Sequence, residues 1–473
     1  IDEAHHLPEK TQSHFSLRGR LNATVQWLER LDPLLAELHT ALQAEAAPMP
    51  RFASLRDGLQ RDADNALQCL RQLHTVLQQL PFSSDGHGSR DPESATHRFA
   101  LGVVPEPIAA LAAQAVPPLT ALADGLSALH EQLAERVDEN DPDQDQGPLV
   151  AGASADTSSW LGTIGALQSR AANSVALLHD YALGDQTDAP HARWVNRTAF
   201  DSELVSTPME AGGILERVLW SSCHAAICTS ATLTAGGRFD RFLQRAGLPA
   251  ATTTLRIPSP FDYPSIATLH IPAMRHEPSA TQQHDQEVAQ RLPELLGSAV
   301  SALLLFSSWR QLNAIIARLP DDLRPALHVQ GEQSKQALLD AHHARIDQGL
   351  TSYLAGVASF AEGLDLPDDY CRHVIIVKLP FAAPDAPLDQ AMAEWVEARG
   401  GNAFYEIAVP DAALRLVQAC GRLIRHEGDH GRITLLDRRI VSRRYGRTLL
   451  ASLPPYRLVV EPADPRREPA TPL

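Results

Sequence analysis

Ala302-Leu303-Leu304-Leu305-Phe306 is a short, unbroken apolar run, and Val374-Ile375-Ile376-Val377 is a second one. Runs of this length are far too short to cross a bilayer and are typical of strands that are buried on both faces of a parallel sheet. Further short runs lie at residues 225–228, 252–255, 352–356 and 433–436, with helical segments between them. This alternation predicts an α/β fold in which helices cover both faces of a parallel sheet.

The segment between Leu17 and Leu183 has a helical pattern instead. Apolar side chains recur at spacings of three and four residues from Leu28 to Leu42, and similar stripes cover residues 59–80, 108–133 and 160–178. Loops rich in Gly, Ser, Asp and Pro separate these stripes. The pattern predicts an all-helical block of three to five helices whose leucines form its core.

Composition indicates a globular protein with room for two or three domains. The chain has 473 residues, of which 44% are hydrophobic and 21% charged. No signal peptide is visible, so the cytoplasm is the expected compartment. The five cysteines are scattered without a CxxC pair, which argues against a disulfide framework or a zinc knuckle.

Charge is distributed unevenly along the chain. The formal net charge is −16, which by itself would discourage binding to nucleic acid. An acidic run occupies residues 138–145, whereas nine arginines crowd the segment from Arg415 to Arg447. A local positive potential can therefore exist on a negative protein.

The first six residues, Ile1-Asp2-Glu3-Ala4-His5-His6, contain two adjacent carboxylates. At the end of a strand, such a pair lets the first carboxylate hold Mg²⁺ through water while the second polarises the water that attacks a γ-phosphate. Such a site also needs a phosphate-binding loop, written GxxxxGK[ST]. None of the three lysines of the chain follows a glycine. We therefore expect that loop to lie upstream of Ile1.

Two segments that follow predicted strands carry polar side chains. Thr229-Ser230-Ala231-Thr232-Leu233 places hydroxyl groups where they can relay hydrogen bonds, although an ordinary polar turn is the alternative. The loop at residues 356–367 contains Glu362, Gly363 and Asp365. Gly363 permits close backbone approach, and Asp365 can accept from a ribose hydroxyl or hold an arginine. These carboxylates favour a binding site over a purely structural loop.

Gln418-Ala419-Cys420-Gly421-Arg422-Leu423-Ile424-Arg425 is the strongest single motif. On a helix, Gln418, Arg422 and Arg425 fall three and four residues apart, so one face would carry an amide and two guanidinium groups past the small Gly421. Two guanidinium groups suit the charge that develops on a γ-phosphate. A solvated basic helix face is the alternative, but the apolar neighbours favour a site.

Taken in order, these motifs resemble a known family. DEAH (residues 2–5), TSATL (229–233), LLLFSSW (303–309), SFAEGLDLP (359–367) and QACGRLIRH (418–426) look like motifs II to VI of superfamily 2 helicases. Their order and the connecting sequence resemble the DinG branch of the XPD-like helicases, over motif II and then residues 193–455. One departure is Ala361, where many XPD-like members carry an aromatic residue.

The resemblance implies two RecA-like parallel-sheet domains, the first truncated, with an all-helical Arch-like insertion. Residues 1–16 would end the motif II strand of the first domain, and residues 17–192 would form the insertion. Residues 193–250 would be the remainder of the first domain, and residues 251–473 would be the second domain. The chain would then be the C-terminal part of a helicase, beginning at motif II.

The resemblance also implies roles for individual residues. Asp2 would coordinate Mg²⁺, Glu3 would activate water, and His5 would couple the nucleotide state to DNA. The residues expected to bind ATP or sense its γ-phosphate are Ser230, Thr232, Glu362, Gly363, Asp365, Gln418, Gly421, Arg422 and Arg425. The residues expected along the DNA strand are Ser307, Ser308, Trp309, Ser359 and Phe360. Trp309 could equally be a core residue.

The activity that the resemblance implies is ATP-dependent unwinding of DNA in the 5′ to 3′ direction, in repair or replication. The expected partners are single-stranded DNA and forked or loop DNA, or an RNA–DNA hybrid, with no membrane contact and a monomeric protein. Family members hold a [4Fe–4S] cluster through four cysteines before motif II, and no cysteine of this chain matches them.

Two other classes of function stay open at this point. Without a phosphate-binding loop, the chain could be a non-catalytic nucleic-acid-binding remnant of such a helicase. It could also be a metal-dependent hydrolase that uses the pairs His5-His6 and His342-His343. Neither pair has the HExxH spacing that puts two imidazoles on one helical face, so the hydrolase is the less favoured.

Overall fold

The computed structural model describes residues 1–44, 49, 51–83, 95–139, 154–183, 190–234, 237–297, 299–357, 360, 363–382 and 385–462. The chain forms two compact units. The parallel-sheet unit comprises Ile1–His6, Ser222–Ala383 and Gly401–Leu473. The helical unit comprises Leu7–Ser221 and Pro384–Gly400.

The described residues contain eleven strands. In chain order they are β1 (Leu17–Arg20), β2 (Ala95–Arg98), β3 (His191–Arg197), β4 (Ser202–Pro208), β5 (Ala267–Ile271), β6 (Ser301–Phe306), β7 (Leu327–Val329), β8 (Ser352–Val357), β9 (His373–Ile376), β10 (Gly431–Leu435) and β11 (Arg457–Val460).

The same residues contain sixteen α-helices. They are α1 (Leu7–His14), α2 (Leu21–Glu29), α3 (Leu31–Ala44), α4 (Phe52–Leu77), α5 (Glu106–Glu139), α6 (Ser154–Leu183), α7 (Gly212–Val218), α8 (Asp240–Arg245), α9 (Tyr263–Ile266), α10 (Thr281–Leu296), α11 (Trp309–Ile316), α12 (Lys335–Asp347), α13 (Pro387–Ala398), α14 (Val409–Cys420), α15 (Arg439–Ser442) and α16 (Gly446–Ser452).

Seven parallel strands form the sheet of the parallel-sheet unit, in the order β11-β5-β10-β9-β6-β8-β7. Successive side chains of β6 enter two different cores, Leu303 and Leu305 on one face and Leu304 and Phe306 on the other. Both faces are therefore buried, which explains why β6 is apolar at every position from Ala302 to Phe306. The predicted α/β fold with a parallel sheet is confirmed.

Two of the predicted strands are wrong. Residues 225–228 and 252–255 are not in strands. In the first of these runs Ile227 O accepts from the Ile1 amino group at 2.7 Å, and Thr229, the residue after the run, makes main-chain hydrogen bonds with Ile1 and Ala4. Apolar or β-branched residues favour a strand only where a partner strand is available.

The helical unit combines long helices with a small antiparallel sheet. Its core is filled by leucines of α2 to α6, so the predicted helices are confirmed. The prediction that the block is all-helical is wrong, because β1 and β2 belong to a four-stranded sheet in the order β1-β4-β3-β2. Residues 193–195, predicted to begin the rest of a RecA-like domain, lie in β3 of this sheet.

Helix α5 is long and apolar enough, by composition, to cross a membrane. Its residues at three- and four-residue spacing, including Leu119, Leu122, Leu126 and Leu129, are completely buried in the leucine core with α4 and α6. This burial is typical of a core helix.

Helix α13 packs on the small sheet although its sequence lies between two segments of the parallel-sheet unit. We call residues 384–400 the strap. Ala391 of the strap is buried in a cluster with Trp194, Val205 and Met209. The Arg98 guanidinium donates to both carboxylate oxygens of Glu394, at 2.7 Å for Oε2, and this hydrogen bond helps to hold the pKa of Glu394 below its ordinary value.

We expect Arg98→Glu to loosen the strap, because two carboxylates would then face each other where a paired guanidinium and carboxylate now lie. A forked ion pair with this geometry contributes about 1 to 2 kcal/mol, so cleavage by chymotrypsin after Trp395 should become about tenfold faster. The reversed pair, Arg98→Glu with Glu394→Arg, should restore protection. Equal cleavage of the single variant and the unmodified chain would contradict the role of this pair.

Candidate functional site

The first residues of the chain lie beside the segment that begins at Thr229. Thr229 N donates to Ile1 O at 2.9 Å, and Ala4 N donates to Thr229 O at 3.0 Å. These main-chain bonds bring the DEAH and TSATL segments together within the parallel-sheet unit, although more than 220 residues separate them.

The two carboxylates of the DEAH segment have different partners. Asp2 Oδ1 accepts from Thr229 Oγ1 at 3.0 Å and from Glu3 N at 2.9 Å. Glu3 Oε2 accepts from Ser230 Oγ at 3.0 Å. Glu3 has a φ of 49°, a left-handed conformation that glutamate rarely adopts. Strain of this kind concentrates at functional sites, where surrounding contacts maintain it.

A chain of hydrogen bonds connects Gln418 to Glu3. Gln418 Nε2 donates to His5 Nε2 at 3.1 Å, and His5 Nδ1 lies 2.8 Å from Ser230 Oγ. An imidazole that accepts at Nε2 carries its proton on Nδ1 when it is neutral. His5 then donates to Ser230, which donates to Glu3. We call Gln418, His5, Ser230 and Glu3 the relay. Thr232 adds to it, because Thr232 N donates to Ser230 Oγ at 3.2 Å.

Arg422 and Arg425 converge on one carbonyl group. Arg422 Nη1 donates to Leu364 O at 3.0 Å, and Arg425 Nη2 donates to the same oxygen at 2.7 Å. Arg425 Nε also lies 3.5 Å from Asp365 Oδ1. Asp365 therefore lies within ion-pair distance of an arginine, one of the two kinds of partner that its position allowed.

The predicted helix through this motif ends earlier than its spacing indicates. Helix α14 ends at Cys420, and Gly421 is its C-terminal cap. Arg422 and Arg425 lie in the turn that follows, where Asp429 Oδ2 accepts from the main-chain N–H groups of Arg425 and His426. Sequence reasoning missed Asp429. Its signal was a carboxylate four residues after Arg425, in a segment that contains glycine.

The loop after β8 is described only in part. Ser359 and Glu362 lie outside the described residues. Gly363 has a φ of 69°, so the left-handed backbone conformation accounts for glycine there. Phe360 is 3% exposed and packs against Gly356, where an added Cβ would lie 2.6 Å from the ring. The base-stacking role expected for Phe360 does not fit this burial.

The segment after β6 is exposed. Trp309 is 47% exposed, so it is not a core residue, and it lines a cavity of about 640 Å³ with Gln330 and Gly331. Ser308 caps α11 by accepting from Gln311 N at 3.2 Å. Ser307 Oγ donates to Gln311 Oε1 at 3.0 Å. All three predicted strand-binding residues are exposed, and Trp309 is the large aromatic side chain among them.

The histidine pairs do not form a metal site. Both ring nitrogens of buried His342 have protein partners, Ser352 Oγ at 2.9 Å and Tyr370 O at 2.8 Å, and burial lowers the pKa of His342 to about 4. Within the described ranges, no group of three or more His, Cys, Asp or Glu side chains could hold a metal ion. These contacts disfavour the hydrolase hypothesis.

Mg²⁺ has different requirements, and Asp2 fits them. This ion keeps several of its water ligands and is held in nucleotide sites by one or two carboxylates together with phosphate oxygens. Asp2 is exposed, and its Oδ1 is oriented by Thr229 and by the N–H group of Glu3. A single oriented carboxylate of this kind suits the ion without a cluster of protein ligands.

The chain is similar to known helicases in part of its sequence and in its fold. Residues 297–456 match the family described as the helicase C-terminal domain. The fold is shared with Xpd4 of S. tokodaii, with a TM-score of 0.52 at 12% identity, covering 97% of this chain and 75% of that one.

The individual relatives are DinG helicases. The chain is 36% identical, over 98% of its length, to ATP-dependent DNA helicase DinG of Photobacterium profundum, and it covers 64% of that protein. It is 29% identical, over 96% of its length, to ATP-dependent DNA helicase DinG of Escherichia coli K12, and it covers 62% of it. The chain therefore spans somewhat less than two thirds of the length of these relatives. The predicted resemblance to DinG-type, XPD-like helicases is confirmed.

Proposed function

We propose that the chain carries motifs II to VI of an ATP-dependent DNA helicase that moves 5′ to 3′ along single-stranded DNA. The observation that carries this proposal is the relay, because it joins Gln418 of motif VI to His5 of motif II, 413 residues away along the chain, and continues through Ser230 to Glu3. A helicase must couple events at the phosphate to events at the strand, and a relay of oriented hydrogen bonds provides such coupling.

Each residue of the site has its own proposed role. Glu3 accepts from Ser230, which orients its carboxylate toward an attacking water. Arg422 and Arg425 supply guanidinium groups for the charge that develops on the γ-phosphate. Asp2 would hold Mg²⁺, which supplies positive charge next to the phosphate oxygens when it is bound. Ser307, Ser308 and Trp309 offer exposed contacts to a strand.

The proposed setting rests on the resemblance of the motifs to those of DinG-type helicases. We propose that the substrates are forked or loop DNA or RNA–DNA hybrids in repair or replication, and that the protein acts as a cytoplasmic monomer. The competing hypothesis, a binding remnant that hydrolyses nothing, shares the strand-binding residues and differs at the phosphate.

We expect His5→Ala to lower ATP hydrolysis in the presence of single-stranded DNA by about tenfold or more, because the Ser230 hydroxyl that donates to Glu3 loses its own partner His5. Hydrogen bonds next to a charged group contribute about 1.5 to 3 kcal/mol. His14→Ala, which removes an exposed imidazole of α1, is the matched control and should leave the rate unchanged. The assay uses the 473-residue chain and the protein encoded by the complete gene.

The outcomes separate the hypotheses. Hydrolysis that depends on DNA and on His5 supports the helicase. Strand binding without hydrolysis in either protein would favour the binding remnant. Hydrolysis by the 473-residue chain alone would place a phosphate-binding element within it.

A further inference from the structure

Three parallel strands end side by side in the middle of the sheet. The register pairs Leu305 of β6 and Leu435 of β10 with Ile376 of β9. If this register is continued two residues beyond Ile376, Lys378 lies between Ser307 and Asp437 at the carboxyl edge of the sheet. Ligands of parallel sheets bind at this edge.

The two carboxylates near Lys378, those of Asp437 and Asp285, bind other groups. Asp437 is completely buried, and its oxygens accept from Leu379 N at 3.0 Å and from Arg439 Nη2 at 2.7 Å. Asp285 accepts from Gln311 Nε2 at 3.0 Å and lies 3.5 Å from Arg310 Nη2. In the described ranges, no hydrogen bond or ion pair is made by the half-buried Lys378 ammonium.

The charged groups acting on Lys378 are Arg439, Asp437, Asp285 and Arg310. With Lys378 they total one positive charge. Burial and the neighbouring Arg439 lower the pKa of Lys378, so its charged form is destabilised. An ammonium in such surroundings gains from binding an anion, since the anion offsets both effects.

Aromatic side chains continue the same surface. Arg439 lies 5.9 Å from the ring centroid of Phe381, and Phe381 stacks on Phe404 at 5.5 Å with an angle of 24° between the rings. Phe404 and its neighbour Tyr405 are 40% and 49% exposed. Large exposed rings next to cations are typical of proteins that bind single-stranded nucleic acid. The bases of the strand stack on the rings, and its phosphates pair with the cations.

We propose that Lys378, Phe381, Phe404, Tyr405 and Arg439, which we call the edge patch, bind one nucleotide of a single-stranded nucleic acid, with its phosphate at Lys378 and its base on Phe404 or Tyr405. The edge patch is additional to Ser307, Ser308 and Trp309 and rests on the proposed function, since it extends the path of the strand. Asp437 and Arg439 position the patch through the main chain at Leu379 and the ring of Phe381.

The test separates the phosphate contact from the stacking contact. Lys378→Met keeps the length of the side chain and removes its charge, so affinity for an oligothymidine should fall by about three- to tenfold and the slope of log K against log salt should flatten by about 0.7. Phe404→Ala should weaken binding by about tenfold without changing that slope. Lys10→Ala, an exposed lysine of α1, is the control for net charge and should change neither quantity.

Each outcome has a distinct meaning. If the unmodified chain binds the oligothymidine but Lys378→Met keeps its affinity and salt slope, the edge patch is wrong and the proposed function stands. If Lys378→Met weakens binding of a fluorescent ATP analogue and not of the oligothymidine, the phosphate belongs to a nucleotide and the proposal is overturned. If the unmodified chain binds no strand, both proposals fail. Matching thermal melts verify that each variant is folded.

Discussion

Arg422→Ala is expected to abolish DNA-stimulated ATP hydrolysis, with turnover falling about a thousandfold or more. A guanidinium that meets the charge developing on a transferred phosphoryl group acts mainly in the transition state, so its loss lowers kcat more than it raises KM. The hydrogen bond from Arg422 Nη1 to Leu364 O already fixes the orientation of the guanidinium group. The fold should survive the change, because Arg425 donates to the same carbonyl oxygen.

Two further variants define this experiment. Arg447→Ala removes an exposed arginine from α16 of the same unit and should hydrolyse ATP at the normal rate. Arg422→Lys keeps the charge without the planar fork, and we expect it to recover only a small part of the activity. Normal hydrolysis by Arg422→Ala would show that Arg422 does not contact the phosphate, and the site would need another cation.

Asp180→Asn is expected to destabilise the helical unit by about 3 to 5 kcal/mol, since it removes one partner of a buried ion pair. Arg193 is 2% exposed and donates to Asp180 through Nε at 2.6 Å and through Nη2 at 2.9 Å. His191 and Ser206 also contact this carboxylate. Urea unfolding followed by far-UV circular dichroism measures the loss, because the long helices lie in this unit.

The pair also makes stability depend on pH. Burial alone would raise the pKa of Asp180, but the hydrogen bonds from His191 and Arg193 and the charge of Arg193 outweigh it, so this pKa lies well below its ordinary value. Its contribution is therefore complete above the unfolded pKa of about 4 and is lost as pH falls below it. Asp180→Asn should show a flatter pH dependence there.

A double replacement tests the interpretation of this pair. Asp180→Leu with Arg193→Met exchanges the ion pair for apolar side chains and should be less destabilised than Asp180→Asn, because no charge is left buried without a partner. If Asp180→Asn unfolds at the same urea concentration as the unmodified chain, the pair contributes nothing to stability.

The parallel sheet could be predicted because its signal is local. Each central strand is buried on both faces, so an apolar run such as Leu303 to Phe306 identifies it without knowledge of its neighbours. The small antiparallel sheet has no such signal. Its strand β1 reads Leu-Arg-Gly-Arg and pairs with β4 through Leu17 and Ser206, which are far apart in sequence. Local periodicity therefore indicates only the helices around it.

In the candidate site, too, local motifs could be predicted from the sequence and long-range contacts could not. The motifs DEAH and TSATL can be read from sequence, but the hydrogen bond between Gln418 and His5 cannot, because it depends on the folded chain. Helical spacing placed Arg422 and Arg425 on a helix that in fact ends at Cys420. Residue type also says little about exposure, since Phe360 is buried whereas Trp309 is half exposed.

The strap sets an order of events while the chain is being made. Residues 7–221 leave the ribosome first, but α13, which covers Trp194 and Met209, follows only after the whole stretch from Ser222 to Ala383. At ordinary rates of synthesis this delay lasts about 10 to 30 seconds. During that interval the nascent helical unit presents an apolar surface to chaperones and to its neighbours. A fragment that ends at Ser221 would lack α13, so this apolar surface would stay uncovered.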